Sequence, residues 1–68
     1  MTVGAQVKQT IASLKGAQAT LEAFSSIEEN DVAKAIYSSS AKRVEEIKNS
    51  LESRVRQLEF EEPQYKGL

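Results

Sequence analysis

The sequence predicts an all-α fold, an antiparallel two-helix hairpin that self-associates into a four-helix bundle, and three observations carry that expectation. Helix-forming Ala, Gln, Glu, Lys and Leu fill the 68 residues, while proline occurs once, at Pro63, and glycine only at Gly4, Gly16 and Gly67. Long helices therefore have few places to break. Large apolar residues recur at three-and-four spacing in two separate series, the pattern of amphipathic helices, and nowhere does strict alternation suggest a strand. Between the two series stands Glu28-Glu29-Asn30-Asp31, a polar stretch with helix-stopping and helix-starting residues.

The first series, Val3, Val7, Ile11, Leu14, Leu21 and Phe24, predicts a helix over about 3–27, with Thr2 as its N-cap. In the turn, 28–31, Asn30 can end this helix in a left-handed conformation, or Asn30 or Asp31 can cap the next. Ser26 with Glu29 three residues on is a rival capping box, but a reversal near residue 25 sets Val7 against Arg43 and spoils the match of the stripes. The second series, Val32, Ile36, Tyr37, Val44, Ile47, Leu51, Val55 and Leu58, predicts a helix over about 31–61 that Pro63 halts. Residues 1–62 then form one hairpin and 63–68 a C-terminal tail.

Paired stripes define the expected hairpin core: Val7, Ile11, Leu14, Leu21, Phe24, Ile36, Tyr37, Val44, Ile47, Leu51, Val55 and Leu58. Two registers satisfy them. One sets Val7 against Leu51, Ile11 against Ile47 and Leu14 against Val44; the other, half a heptad later, sets Val7 against Val55, Ile11 against Leu51 and Leu14 against Ile47. Either way the helices are about 38 and 45 Å long at 1.5 Å per residue.

A chain this short rarely gains more than about 3–5 kcal/mol from a single core unless something staples it. With neither Cys nor His in the sequence, disulfides, thiolate chemistry and the usual zinc ligands are excluded, and no metal or other cofactor is expected. Association remains as the route to stability, a homo-oligomer with a dimer favoured. Nine Lys and Arg against ten Asp and Glu leave a net charge of −1, which supplies no field for gathering nucleic acid or anionic lipid. Met1-Thr2-Val3-Gly4 is not a basic leader ahead of an apolar run, and no stretch has the ~20 apolar residues of a transmembrane segment. A cytoplasmic protein is the expectation.

Four features invite a functional reading. Ala5, Gln9, Ala12, Gly16, Ala19 and Ala23 form a second, small-residue stripe on helix 1, either a face where another chain approaches closely or an exposed face filled with good helix formers. Midway along the hairpin Gln18 and Ser38-Ser39-Ser40 form a polar layer, whose serines either fix register or bond back to the preceding helical turn. Ser39 beside Lys42 and Arg43 is a poor serine nucleophile with no pocket, and the mixed charges of helix 2, with Glu52 and Arg56 spaced as an i, i+4 pair, read as a solvated face. In the tail, Pro63, Gln64, Tyr65 and Leu68 either follow Phe60 back onto the open end near Val3 and Val7 or offer a docking peptide. No enzyme is expected.

The segments Val7-Lys8-Gln9-Thr10-Ile11-Ala12-Ser13-Leu14-Lys15-Gly16-Ala17-Gln18-Ala19-Thr20-Leu21-Glu22 and Glu61-Glu62-Pro63-Gln64-Tyr65-Lys66-Gly67 resemble the opening and closing signatures of a short bacterial family, domain-of-unknown-function family 1657. The resemblance is looser from Ser25 to Ser53, and Ser53 stands where relatives carry a proline that would kink helix 2. It implies a small protein of endospore-forming bacteria, encoded beside spore-membrane transport proteins, with a forespore or spore-core location and a spore membrane protein as partner. It implies no activity and no catalytic residues. Residues and resemblance together lead to a non-enzymatic interaction protein, a soluble accessory of a membrane assembly in sporulation; a small ligand-binding or regulatory module is the alternative.

Overall fold

The structure, a computed structural model, describes residues 3–61, with side chains described for 3–60. It consists of two helices, α1 from Val3 to Ile27 and α2 from Asp31 to Glu61, folded against each other as a hairpin with no strand among the described residues. The expected N-cap, Thr2, and the tail lie outside the described residues.

The reversal is built by local hydrogen bonds. α1 closes with the Glu28 N–H donating to the Phe24 carbonyl at 3.0 Å. Asn30 then caps α2: its Oδ1 accepts the Ala33 N–H at 2.9 Å and its carbonyl accepts the Lys34 N–H at 2.9 Å, satisfying a donor that the first turn of a helix leaves open. The Glu28 carboxylate accepts the Asn30 N–H at 3.1 Å, and Asp31 places a negative charge in the first turn of α2, where the helix dipole favours it. Ser26 does not start a helix; inside α1 its hydroxyl donates to the Ala23 carbonyl at 2.8 Å. Ser25 instead ties the helices together, donating to the Lys34 carbonyl at 3.2 Å. α2 stays helical through Ser53, which has no ring to clash with the carbonyl one turn back.

Where the helices meet, buried and half-buried residues alternate at steps of three and four: Gly4, Val7, Ile11, Leu14, Gln18, Leu21 and Ser25 on α1, and Tyr37, Ala41, Val44, Lys48, Leu51, Val55 and Leu58 on α2. This is the seam of a coiled coil. Contacts across it select the later register, because Val7 shares one groove with Leu51, Val55 and Leu58 and Lys8 reaches Glu59 at 2.9 Å. The seam is thin. Among the described residues Ile11, at 8% exposure, and Ala41, at 5%, are the buried apolar ones.

Three residues expected in the core are corrected. Phe24, Ile36 and Ile47 are exposed, at 44%, 56% and 45%. Ile36 and Ile47 each stand next in sequence to the residue that holds the seam position, Tyr37 and Lys48, and one residue is a 100° turn of the helix. Lys48 fills its place with its aliphatic stem, its side chain 15% exposed and its ammonium 3.8 Å from Glu52, so a charged residue occupies a line that hydrophobicity assigns to its neighbour. Phe24 leaves the seam to Leu21 and Ser25 and lies edge-on to Tyr37, ring centroids 5.5 Å apart, an arrangement that favours the two ring quadrupoles.

Candidate functional site

A hairpin has two broad faces, one on each side of the plane containing both helix axes, and here they differ. Residues flanking the seam on one side are Lys8, Lys15 and Glu22 of α1 with Ser38, Glu45, Glu52 and Glu59 of α2. Their placement together is visible in the Lys8–Glu59 ion pair and in the hydrogen bond that the Gln18 amide donates to Glu45 at 3.1 Å. A groove of about 300 Å³ on this side is lined by Lys8, Ala12, Lys15, Glu52 and Arg56 over a floor of Ile11 and Val55. Nearer the turn, a second of about 270 Å³ is lined by Gln18, Glu22, Ser25, Ser38, Lys42 and Glu45. This is the charged face.

On the other side the flanking residues are Val3, Thr10, Ala17 and Phe24 of α1 with Ser40, Ile47 and Arg54 of α2; outside them come Gln6, Ser13, Thr20 and Ile27, and Ile36, Arg43, Ser50 and Gln57. Val3 and Arg54 rim a groove of about 150 Å³ over Val7 and Leu58, and Phe24 and Ile27 rim another of about 140 Å³ with Tyr37. Arg43, Arg54 and, in the groove with Phe24 and Ile27, Glu28 bring the charge of this face; both arginines are engaged along their own helix, Arg43 with Glu46 at 4.0 Å and Arg54 donating to the Gln57 side-chain amide oxygen at 2.9 Å. Large apolar side chains stand open here: Val3 at 69% and Ile27 at 76%, beside Phe24, Ile36 and Ile47. Reading the α1 stripe alone could not find this face, because it exists only once α2 fixes which flank of each helix shares a side.

The small-residue stripe lies along the outer side of α1, with Ala12 at the rim of the groove shared with α2. Gln9, Ala12, Gly16, Ala19 and Ala23 are exposed and Ala5 is half-buried; a methyl group built on Gly16 meets nothing within 4 Å. In the polar layer, Ser39 bonds back to the Ile36 carbonyl at 3.1 Å, which leaves it a helix-surface hydroxyl, while Ser38 and Ser40 are half-buried beside the seam. Glu52 pairs with Lys48 and not with Arg56, since Lys48 lies closer to the seam and brings its ammonium alongside. No group of three or more acidic residues is placed to hold a metal ion among the described residues.

The model of the family described as "Protein of unknown function (DUF1657)" matches residues 7–55. The chain belongs to the DUF1657 family. Val7 and Val55, the first and last matched residues, line the same groove, so the DUF1657 match takes in the turn and the seam between these two residues, leaving Gly4 and Leu58 outside it. Within it falls the opening segment Val7 to Glu22; the closing segment, from Glu61 on, lies beyond it. Neither a curated protein nor a solved structure matches this DUF1657 chain. Among the described residues no helix is long and apolar enough to cross a membrane.

Proposed function

We propose that this DUF1657 protein is a non-enzymatic interaction protein whose hairpin pairs with a second copy to form a four-helix bundle, and that the bundle is a soluble accessory of a spore-associated membrane assembly. The observation that carries the pairing is the imbalance between a seam with few buried apolar residues and a set of large apolar side chains left open to water. Burial contributes about 25 cal/mol per Å² of apolar surface, and a hairpin that leaves this much uncovered gains from a partner what its own core does not supply. The spore-membrane half rests on the resemblance.

Light scattering coupled to size-exclusion chromatography tests the pairing: a mass twice that of the chain is expected at micromolar concentration, and a folded monomer there would sink it. Co-purification from sporulating cells with a tagged copy, whole or truncated after Glu62, tests the assembly; a specific membrane protein is expected with the whole chain, and recovery of none refutes that half. A second reading, a ligand-binding module, is favoured by the polar groove around Gln18, Ser38 and Glu45. It is tested by ligand-dependent shifts in melting temperature across a panel of polar metabolites, and their absence counts against it.

A further inference from the structure

Resting on the self-association reading, we propose that the second copy docks on the sparsely charged face, turn end over open end, so that Ile47 meets Ile47 of the partner subunit at a two-fold axis. The described side chains of large apolar residues are not spread evenly around the hairpin. Val3, Phe24, Ile27 and Ile47 stand on one broad side with Ile36 at its margin, Val32 and Phe60 stand on the outer side of α2, and the other broad side carries Lys8, Lys15, Glu45, Glu52 and Glu59. Covering the charged side would strip water from those groups. Covering the opposite side desolvates two arginines, Glu28 and a row of apolar and hydroxyl side chains. The outer stripe of alanines offers little area per residue and has no large side chain to bury.

Size and charge fit a second copy. The molecule measures 48 × 19 × 12 Å, so one broad face covers on the order of 900 Å², close to the ~800 Å² per partner of a standard specific interface. Charge fixes the direction. On this side of the hairpin the turn end carries Glu28, in the groove with Phe24, Ile27 and Tyr37, and the open end carries Arg54, in the groove with Val3 and Leu58. Turn on turn sets like charge on like; turn on open end sets the acidic end of each copy over the basic end of the other.

Helix geometry then names the residue on the axis. In the observed register Ile47 lies level with the middle of α1, near Lys15, and so near the centre of the long dimension. A two-fold across that dimension lays α2 on α2 of the partner and Ile47 on its own copy. A two-fold along it lays α2 on α1 instead and puts Ile47 over Ala17.

The chain contains no cysteine, so single substitutions report cleanly. Full-length Ile47→Cys, Gly16→Cys and Lys42→Cys proteins are each incubated in a glutathione redox buffer at a concentration where the unsubstituted chain shows doubled mass, and an equimolar mixture of Ile47→Cys with Ala17→Cys is treated likewise. A disulfide needs its Cα atoms within about 7 Å. Ile47→Cys is expected to convert mostly to a covalent dimer, with Gly16→Cys and Lys42→Cys several-fold less. Cross-linking of Gly16→Cys or Lys42→Cys in place of Ile47→Cys overturns the face while leaving self-association intact, and cross-linking confined to the mixture overturns the orientation. A monomeric unsubstituted chain defeats the self-association reading and this proposal with it. Ile47→Asp supplies an independent readout: dimer dissociation at least tenfold weaker in affinity is expected with helicity retained, and an undiminished dimer overturns the proposal.

Discussion

Shortening Ile11 to alanine separates the seam from the faces. Ile11 is the large apolar side chain that α2 covers most fully, 8% exposed, and Ile11→Ala removes three carbons. At about 0.8 kcal/mol per buried methylene-sized group the loss is roughly 2–3 kcal/mol, at the lower end of core truncations because the groove beside Ile11 already admits water to the site. Against the ~3–5 kcal/mol that one small core supplies, the variant is left near the edge of folding. Ile47→Ala removes the same atoms from a residue 45% exposed and gains alanine's helix propensity, so in dilute solution it is expected to change stability by under about 0.5 kcal/mol. Urea titrations and thermal scans followed by far-ultraviolet circular dichroism, run over a hundredfold range of protein concentration, make the comparison. Ile11→Ala is expected to be destabilised at every concentration, by about 10–20 °C in melting temperature for a domain this size, and Ile47→Ala only where the parent dimerises. Equal losses in the two variants at the lowest concentration, or a loss under about 1 kcal/mol for Ile11→Ala, would refute the assignment of seam and surface.

Other substitutions probe individual features. Asn30→Ala is expected to cost about 1 kcal/mol in the same titration and Asn30→Asp much less, because an aspartate oxygen can accept the Ala33 N–H in the same way. Gly16→Ala is expected to gain up to about 1 kcal/mol, since the added methyl is unopposed and glycine is a poor interior helix residue; a loss would mean that something presses on the small-residue stripe. Lys48→Leu is expected to stabilise by about 1 kcal/mol, replacing a largely covered charged side chain and its weak ion pair with Glu52 by an apolar seam residue. Lys8→Met, which removes the Lys8–Glu59 bridge between partly exposed groups, is expected to shift stability by less than about 1 kcal/mol.

The helices and the reversal were legible because they rest on local chemistry: periodicity, one late proline and an asparagine that can cap. The seam was legible where an apolar residue stands alone at its position, as with Val7, Ile11, Leu14 and Leu51. It was not legible where a bulky residue adjoins a smaller or charged one, since one residue is 100° of rotation and hydrophobicity favours Ile47 over Lys48 and overlooks Ala41 and Gly4. Register escaped for a related reason: both alignments match apolar with apolar, and the choice is made by longer-reaching pairs such as Lys8 with Glu59 and Phe24 with Tyr37. The interaction face needs two helices at once. Thr10, Ala17, Ser40 and Ile47 form no stripe in sequence, and only their juxtaposition across the seam makes one surface. Residues Pro63, Gln64, Tyr65 and Leu68 lie outside the described residues.

The strict three-and-four alternation of the seam also constrains how such a hairpin can change length over evolutionary time. One residue gained in α1 alone would swing everything beyond it by 100° and carry Gln6 or Thr10 into the place of Val7 or Ile11. Seven gained in both helices at matching depth add two near-complete turns, about 10 Å, and bring every side chain back almost to its former heading. Growth or shrinkage that preserves the fold is therefore stepwise and must be matched in both arms.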